Sequence, residues 1–226
     1  MGPDKVEQLV GAIITVGNRR YRALIGEHLL HEIGERCRSI GFSGRCAVIS
    51  DMNVAALSAD RVKQSLTTSC FQPTLITIPA GEKSKTLEQA GAICDQMVAA
   101  GLDRRSFVIG LGGGVIGDIS GFVSAIFHRG IPHVQIPTTL LAMVDSSIGG
   151  KTGVNTAAGK NLVGAVHHPL LVIDDIDVLR TLPRREFNQG FAEIIKHAII
   201  TDAEMFAALK EKEASDALAL QQLFAH

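Results

Sequence analysis

The sequence predicts an α/β protein organised around a parallel sheet. Short apolar runs alternate with amphipathic segments from Arg45 to Ile136, and small-residue turns such as Gly112-Gly113-Gly114 follow the runs. Strands that alternate with helices pair in parallel and become buried on both faces. The 226 residues suffice for one large domain, or for one domain and part of another.

In order along the chain, Ala12 to about Ile25 reads as two short strands around Gly17-Asn18, and Glu27 to about Cys37 as a helix. Arg45–Ser50 is a strand, Asn53 to about Leu66 a helix, and Thr74–Ile78 a strand. From Thr86 to Ala100, Leu87, Ala90, Ile93, Cys94, Met97 and Val98 fall on one helix face, and Gly101 ends it. Ser106–Leu111 is the next strand, Val115 to about Phe127 the next helix, and His133–Ile136 a further strand. Asp145–Val166 reads as a glycine-rich loop; Arg184–Ile200 and Asp202 to about Ala225 read as helices. The expected division is therefore an α/β domain over residues 1–183 and the beginning of an all-helical domain over 184–226.

Composition narrows the function. Hydrophobic residues make up 46%, 22 basic residues face 23 acidic ones, and there is one tyrosine and no tryptophan. This is the composition of a soluble globular protein, and it gives no electrostatic case for nucleic acid or an anionic membrane. The start, MGPDKVEQLVGAIITVGN, lacks the pattern of a secretory signal, so a cytoplasmic location is expected. Cys37, Cys46, Cys70 and Cys94 have no C-x-x-C spacing and predict four reduced, mostly buried thiols.

Ligands of parallel sheets gather at the carboxyl ends of the strands. Here those ends carry Ser50-Asp51, Pro79-Ala80-Gly81, Gly112-Gly113-Gly114 and Pro137-Thr138-Thr139, which should share one crevice. Gly112, Gly114 and Gly117 form G-x-G-x-x-G, which brings backbone N–H groups and a helix N-terminus to a phosphate, or simply makes a tight strand-to-helix turn. The motif follows about the fourth strand of the alternation instead of opening the fold, and the next strand ends without a ribose-binding acid; Asp51 is the better candidate for a ribose hydroxyl.

In the loop from Asp145 to Val166, Lys151, Lys160, Asn155 and Asn161 provide donors suited to a phosphorylated, hydroxyl-rich ligand. A loop of that length is usually functional. Glu193, Lys196 and His197 share one helix face, either as a polar stripe with a Glu–Lys pair or as two metal ligands, Glu193 and His197, awaiting others. His167-His168 reads as loop or substrate-contact residues.

Together these segments resemble the 3-dehydroquinate synthase family of sugar-phosphate cyclases. The resemblance is densest in GGGVIGDISGF, RGI, QIPTTLLAMVDSSIGGKTGVN, GKNLVGA, TLPRREF and GFAEIIK, with PAGEKSK at 79–85 and DMNV at 51–54 in agreement. It implies a Rossmann-like nucleotide-binding domain and a phosphate-eliminating lyase of the shikimate pathway. The family converts 3-deoxy-D-arabino-heptulosonate 7-phosphate to 3-dehydroquinate and phosphate, with NAD recycled within the turnover and a divalent metal, zinc or cobalt.

By motif, the resemblance assigns NAD to Asp51, Asn53, Glu82, Lys85, Gly113, Gly114, Val115, Asp118, Thr138, Thr139, Lys160, Leu179 and Thr181. Arg129, Asp145, Lys151, Asn161 and Lys196 would face the substrate, and Glu193 would be the carboxylate metal ligand. A homodimer is implied as well. The family's two histidine ligands lie in N-L-G-H-T-x-G-H and H-G-E runs that this sequence lacks, so the chain reads as an amino-terminal portion with little activity of its own. Gln189, before Gly190, is a smaller departure. The alternatives are another sugar-phosphate cyclase, a non-catalytic nucleotide-binding fragment and a metal-dependent alcohol dehydrogenase that accumulates NADH.

Overall fold

The computed structural model describes residues 10–17 and 19–211. β1 (Val10–Val16) and β2 (Arg19–Gly26) form an antiparallel hairpin. A helical turn, Leu29–His31, leads into α1 (Ile33–Ser39). The helix starts later than the sequence suggests because His28 adopts a left-handed φ of 60° and gives its N–H to Asp177 Oδ2 at 3.1 Å.

β3 (Arg45–Asp51) is followed by α2 (Met52–Val54), a π turn (Ala55–Ala59) and α3 (Asp60–Thr68), one continuous helical stretch. β4 (Gln72–Ile78) precedes α4 (Leu87–Ala99), which Thr86 caps by accepting the Gln89 N–H at 3.2 Å. β5 (Phe107–Gly112) passes directly into α5 (Gly114–Ile126), and β6 (His133–Pro137) follows. Next come β7 (Lys151–Thr156), β8 (Gly159–Val166) and β9 (Leu171–Asp175), then α6 (Arg184–Thr201) and α7 (Ala203–Glu211).

The main sheet has the order β1-β2-β9-β6-β5-β3-β4, with every neighbouring pair parallel except the β1–β2 edge. This is the Rossmann-like α/β fold. β5, β6 and β9 are buried along their whole length; β5 is accordingly an apolar run, while β6 and β9 also bury His133, Gln135, Asp174 and Asp175. One face of the sheet packs on α1, α3 and α6 through Ile33, Val62, Leu66, Phe107, Ile109 and Ile194. The other packs on α4 and α5 through Ile49, Ile93, Met97, Val108, Ile119 and Val123.

The chain moves from β3 outward to β4, then returns to place β5 on the other side of β3. That reversal opens a crevice at the carboxyl ends of β3 and β5, where Asp51 and Gly112 stand. The ends of β4, β3, β5 and β6 therefore lie side by side, as the strand-end loops required.

Two expectations need correction. Asp145–Val166 is not a structureless loop: β7 and β8 form a separate two-stranded antiparallel hairpin. Its strands escaped the sequence pattern because they pack through small residues. Val154 is fully buried, and a Cβ on Gly153 would lie 2.7 Å from the Val163 carbonyl oxygen. The thiols also differ from expectation, since Cys37 and Cys46 are buried while Cys94 is half-buried and Cys70 exposed. Burial pushes the Cys37 thiol up to about 12. The helix expected from Asp202 to Ala225 is seen as α7, and residues 212–226 lie outside the described ones. No helix among the described residues is long and apolar enough to cross a membrane.

Candidate nucleotide and sugar-phosphate site

The glycine run places the N-terminus of α5 at the mouth of the crevice. Gly113 is its N-cap and offers no side chain, so the first-turn N–H groups are left for an external acceptor. A Cβ on Gly113 would lie 3.1 Å from Thr139 Cγ2, and one on Gly114 would lie 3.1 Å from Ser146 Oγ. Thr139 and Ser146 thus stand directly over the glycines. Thr138 donates its N–H to Gly112 O at 3.0 Å, while its hydroxyl is buried without a hydrogen-bond partner. An orphaned buried hydroxyl beside uncapped helix N–H groups is the chemistry an anionic ligand would complete. Val115, half-buried, continues the same first turn.

Beside this cradle, Lys85 is buried at 4% exposure. Its ammonium is paired with the Asp118 carboxylate and donates to Asn161 Oδ1 at 2.6 Å. Burial pushes the Asp118 carboxyl up, and the Lys85 ammonium opposes that without cancelling it. Glu82 is more exposed: it accepts from Asn155 Nδ2 at 2.8 Å and lies 3.6 Å from Lys160 Nζ. The Asn155 hydrogen bond, with help from the Lys85 and Lys160 charges, holds the Glu82 carboxyl below its ordinary value.

A cavity of about 500 Å³ opens between α5 and the β7–β8 hairpin, lined by Asp118, Asp145, Ser146, Lys151, Asn161 and Leu162 among others. Four residues singled out from widely spaced positions therefore meet in one place. Lys151 reaches it after a two-glycine bend: Gly149 and Gly150 have φ of 92° and 68°, which side-chain-bearing residues rarely adopt. The bend is held by Tyr21, whose hydroxyl accepts the Gly149 N–H at 3.1 Å.

Other sequence-flagged residues take less direct positions. Asp51 uses Oδ1 to accept the N–H groups of Asn53 and Val54 at 2.9 and 3.1 Å, so it caps the helical stretch while standing at the crevice. Leu179 is buried in the core, and Thr181 donates its hydroxyl to Val178 O at 2.9 Å, in the 3-10 turn Ile176–Thr181 after β9. Arg129 is not brought to the crevice. It is exposed, with φ of 69°, beyond the C-terminal end of α5 and before β6, at the amino ends of the strands. His167 and His168 also lie there; His167 Nε2 is 2.9 Å from Ile131 O, and its ring stacks on that of buried His133.

On α6, Glu193 is ion-paired with Lys196, and His197 Nε2 is 3.4 Å from Glu193 Oε1. Gly190 lets this helix close on the 140–146 segment, since a Cβ there would lie 2.5 Å from Leu141 N. Among the described residues no three His, Cys, Asp or Glu side chains form a group able to hold a metal ion. Glu193 and His197 are an incomplete set, and no step can be derived through a metal from them. Ser146 and Tyr21 were not anticipated as site or site-supporting residues. The serine's only sequence signal is its place before Ile148-Gly149-Gly150, and the tyrosine comes from a strand 128 positions away from Gly149.

The fold and the strand-end cradle define a Rossmann-like α/β protein. The 3-dehydroquinate synthase N-terminal family model matches residues 75–189, and the chain belongs to that family. A 3-dehydroquinate synthase of Pelobacter propionicus is 48% identical over 197 residues, covering 87% of this chain and 55% of the relative. This chain spans about half the length of the curated relatives it matches. A 2-epi-5-epi-valiolone synthase from Streptomyces hygroscopicus, solved with NAD+ and Zn2+ bound, superposes with a TM-score of 0.80 at 31% identity, covering 95% of this chain and 61% of that one. A 2-deoxy-scyllo-inosose synthase complexed with carbaglucose-6-phosphate, NAD+ and Co2+ gives 0.79 at 28% identity, covering 84% and 51%.

Proposed function

We propose that the chain is the nucleotide-binding portion of a 3-dehydroquinate synthase, a phosphate-eliminating lyase. Its reaction converts 3-deoxy-D-arabino-heptulosonate 7-phosphate to 3-dehydroquinate and phosphate. Residues 1–183 form the NAD-binding domain in this reading, and α6 opens the helical domain. The observation that carries it is the uncapped α5 N-terminus beside the partnerless Thr138 hydroxyl, in a chain 48% identical to a 3-dehydroquinate synthase.

When bound, NAD supplies a reversible hydride acceptor, which makes a neighbouring proton acidic enough for phosphate to leave. The N–H groups of Gly114 and Val115 would hold its pyrophosphate with the positive end of α5, and Thr138 and Thr139 would add hydroxyls. Glu82 and Asp51 would provide carboxylate oxygens for ribose hydroxyls, and Asn53, Lys160, Leu179 and Thr181 would also contribute to holding NAD. Lys85 and Asp118, paired beside the α5 cradle, would keep a lone buried charge from forming where NAD is held.

Across the cavity Lys151 and Asn161 would orient the phosphorylated polyol by charge and amide, and Asp145 would accept from its hydroxyls. Lys196 and Glu193 would complete the substrate and metal side, with zinc or cobalt as the ion. A cytoplasmic homodimer follows from the same reading.

Calorimetric titration tests it: the 226-residue chain should bind NAD while releasing no phosphate from the heptulosonate phosphate in the presence of NAD and zinc. Absence of NAD binding defeats the reading. Net accumulation of NADH with a polyol would favour an alcohol dehydrogenase instead.

A further inference from the structure

The β7–β8 hairpin is regular from Lys151↔Val166 to Val154↔Val163, and then the register breaks. Between that last pair and Thr156↔Gly159, Asn155 alone faces Lys160, Asn161 and Leu162. Asn161 absorbs the irregularity with φ of 57°, a conformation asparagine tolerates better than most residues. The break turns the Asn155 backbone N–H out of its own hairpin. Its N–H goes to Lys85 O at 2.8 Å, and residues 155 and 86 form an isolated parallel bridge. Its amide donates to Glu82 Oε1 at 2.8 Å and accepts the Asn161 N–H at 2.9 Å. One side chain thereby ties the segment after β4 to the residues carrying Lys160 and Asn161, and every group it touches belongs to, or adjoins, the site described above.

We propose that Asn155 is a positioning residue: it latches the β7–β8 hairpin onto residues 82–86 and holds Glu82 as an oriented acceptor for the hydroxyls of a bound dinucleotide. The role in binding rests on the NAD reading; the latch rests on geometry alone. Both halves of the amide are used, so no hydrophobic or purely acceptor side chain can replace it. The charged groups around Glu82 are Lys85, Lys160 and Asp118; the two lysines favour its ionised form.

Two variants of the full chain separate positioning from mere support. Asn155→Ala should weaken NAD binding about tenfold, the scale of one or two lost hydrogen bonds, and should speed exchange of the backbone amides at positions 155 and 161 even without NAD. Asn155→Asp keeps the acceptor and loses the donor, setting two carboxylates side by side. Its NAD affinity should be poor near about pH 8 and recover toward about pH 5.5, where a shared proton restores the hydrogen bond, while the wild type changes little over that range. Variants that bind NAD as the wild type does, or an Asp variant whose loss ignores pH, overturn the positioning role. Unchanged amide exchange in Asn155→Ala overturns the latch whether or not NAD binds. A wild-type chain that binds no NAD removes the nucleotide reading, and the binding role with it, but leaves the exchange result to decide the latch.

Discussion

Two glycine-rich stretches meet at α5. Residues 112–117 run into its first turn, and the hairpin from 149 to 166 lies against its side, with Thr152 seated over Gly121. In the first stretch the neighbours of a built Cβ at Gly113 and Gly114 are side-chain atoms of Thr139 and Ser146. At Gly153 and Gly164 of the second they are backbone: a Cβ on Gly164 would lie 3.0 Å from Gly153 Cα and 3.1 Å from the Thr152 carbonyl carbon. A side chain can turn aside, whereas a paired strand cannot. The same residue type therefore keeps space for a ligand in one place and allows two strands to approach in the other.

The comparison is most easily broken at the hairpin. Gly164→Val should cost about 3 kcal/mol, the upper end for overpacking, read as a lowered denaturant midpoint with the slope unchanged. A variant as stable as the wild type would show that the hairpin has room the structure does not. Gly114→Ala, at the other stretch, should leave stability within about 1 kcal/mol of the wild type, because alanine is the better helix former. NAD affinity should nonetheless fall roughly tenfold as the methyl group crowds the anion. If stability falls and NAD binding does not, the two stretches have been assigned the wrong way round.

Thr138→Val sharpens the ligand side further. Removing an orphaned hydroxyl should leave stability equal or up to about 1 kcal/mol higher, while calorimetry should show weaker NAD binding. Loss of stability together with intact NAD binding would mean that the hydroxyl serves the fold.

The smallest effect is a control in the sheet that supports both stretches. Asp174 on β9 is 2% exposed with Oδ1 unpartnered, and burial pushes its carboxyl well above the ordinary 3.8. The folded state then holds this proton more tightly than the unfolded one. Its stabilising contribution is full below about pH 3.8 and is lost as pH rises through the folded value. Asp174→Asn should flatten that decline, raising the thermal midpoint near neutral pH relative to the wild type with little change in acid. A pH profile identical to that of the wild type would contradict it.

Much of the α/β frame is legible in single segments. β3 and β5 have apolar centres because both faces are buried there, and Gly112–Gly117 marks a strand-to-helix turn by composition alone. The family's motif spacing also named Asp118, Asp145, Lys151 and Asn161, which the cavity does bring together. The hairpin escaped because Gly153 and Gly164 sit at its closest strand contact, and its period-2 set Thr152, Val154 and Thr156 holds only one apolar residue, too weak a signal in a glycine-rich stretch. Arg129 was named with the substrate residues, yet α5 carries the chain from the crevice to the opposite end of the sheet before reaching it.

What the sequence by itself determined was local: which segments are strands or helices, where glycine frees a helix end, and which side chains can bind anions or hydroxyls. Those properties depend on residues a few positions apart. Only the tertiary structure decided that the Lys85 ammonium is already shared between Asp118 and Asn161, and that a break in hairpin register aims Asn155 at Glu82. These pairings join residues 33 to 76 positions apart, and no local period or propensity specifies a contact made only when separate elements pack.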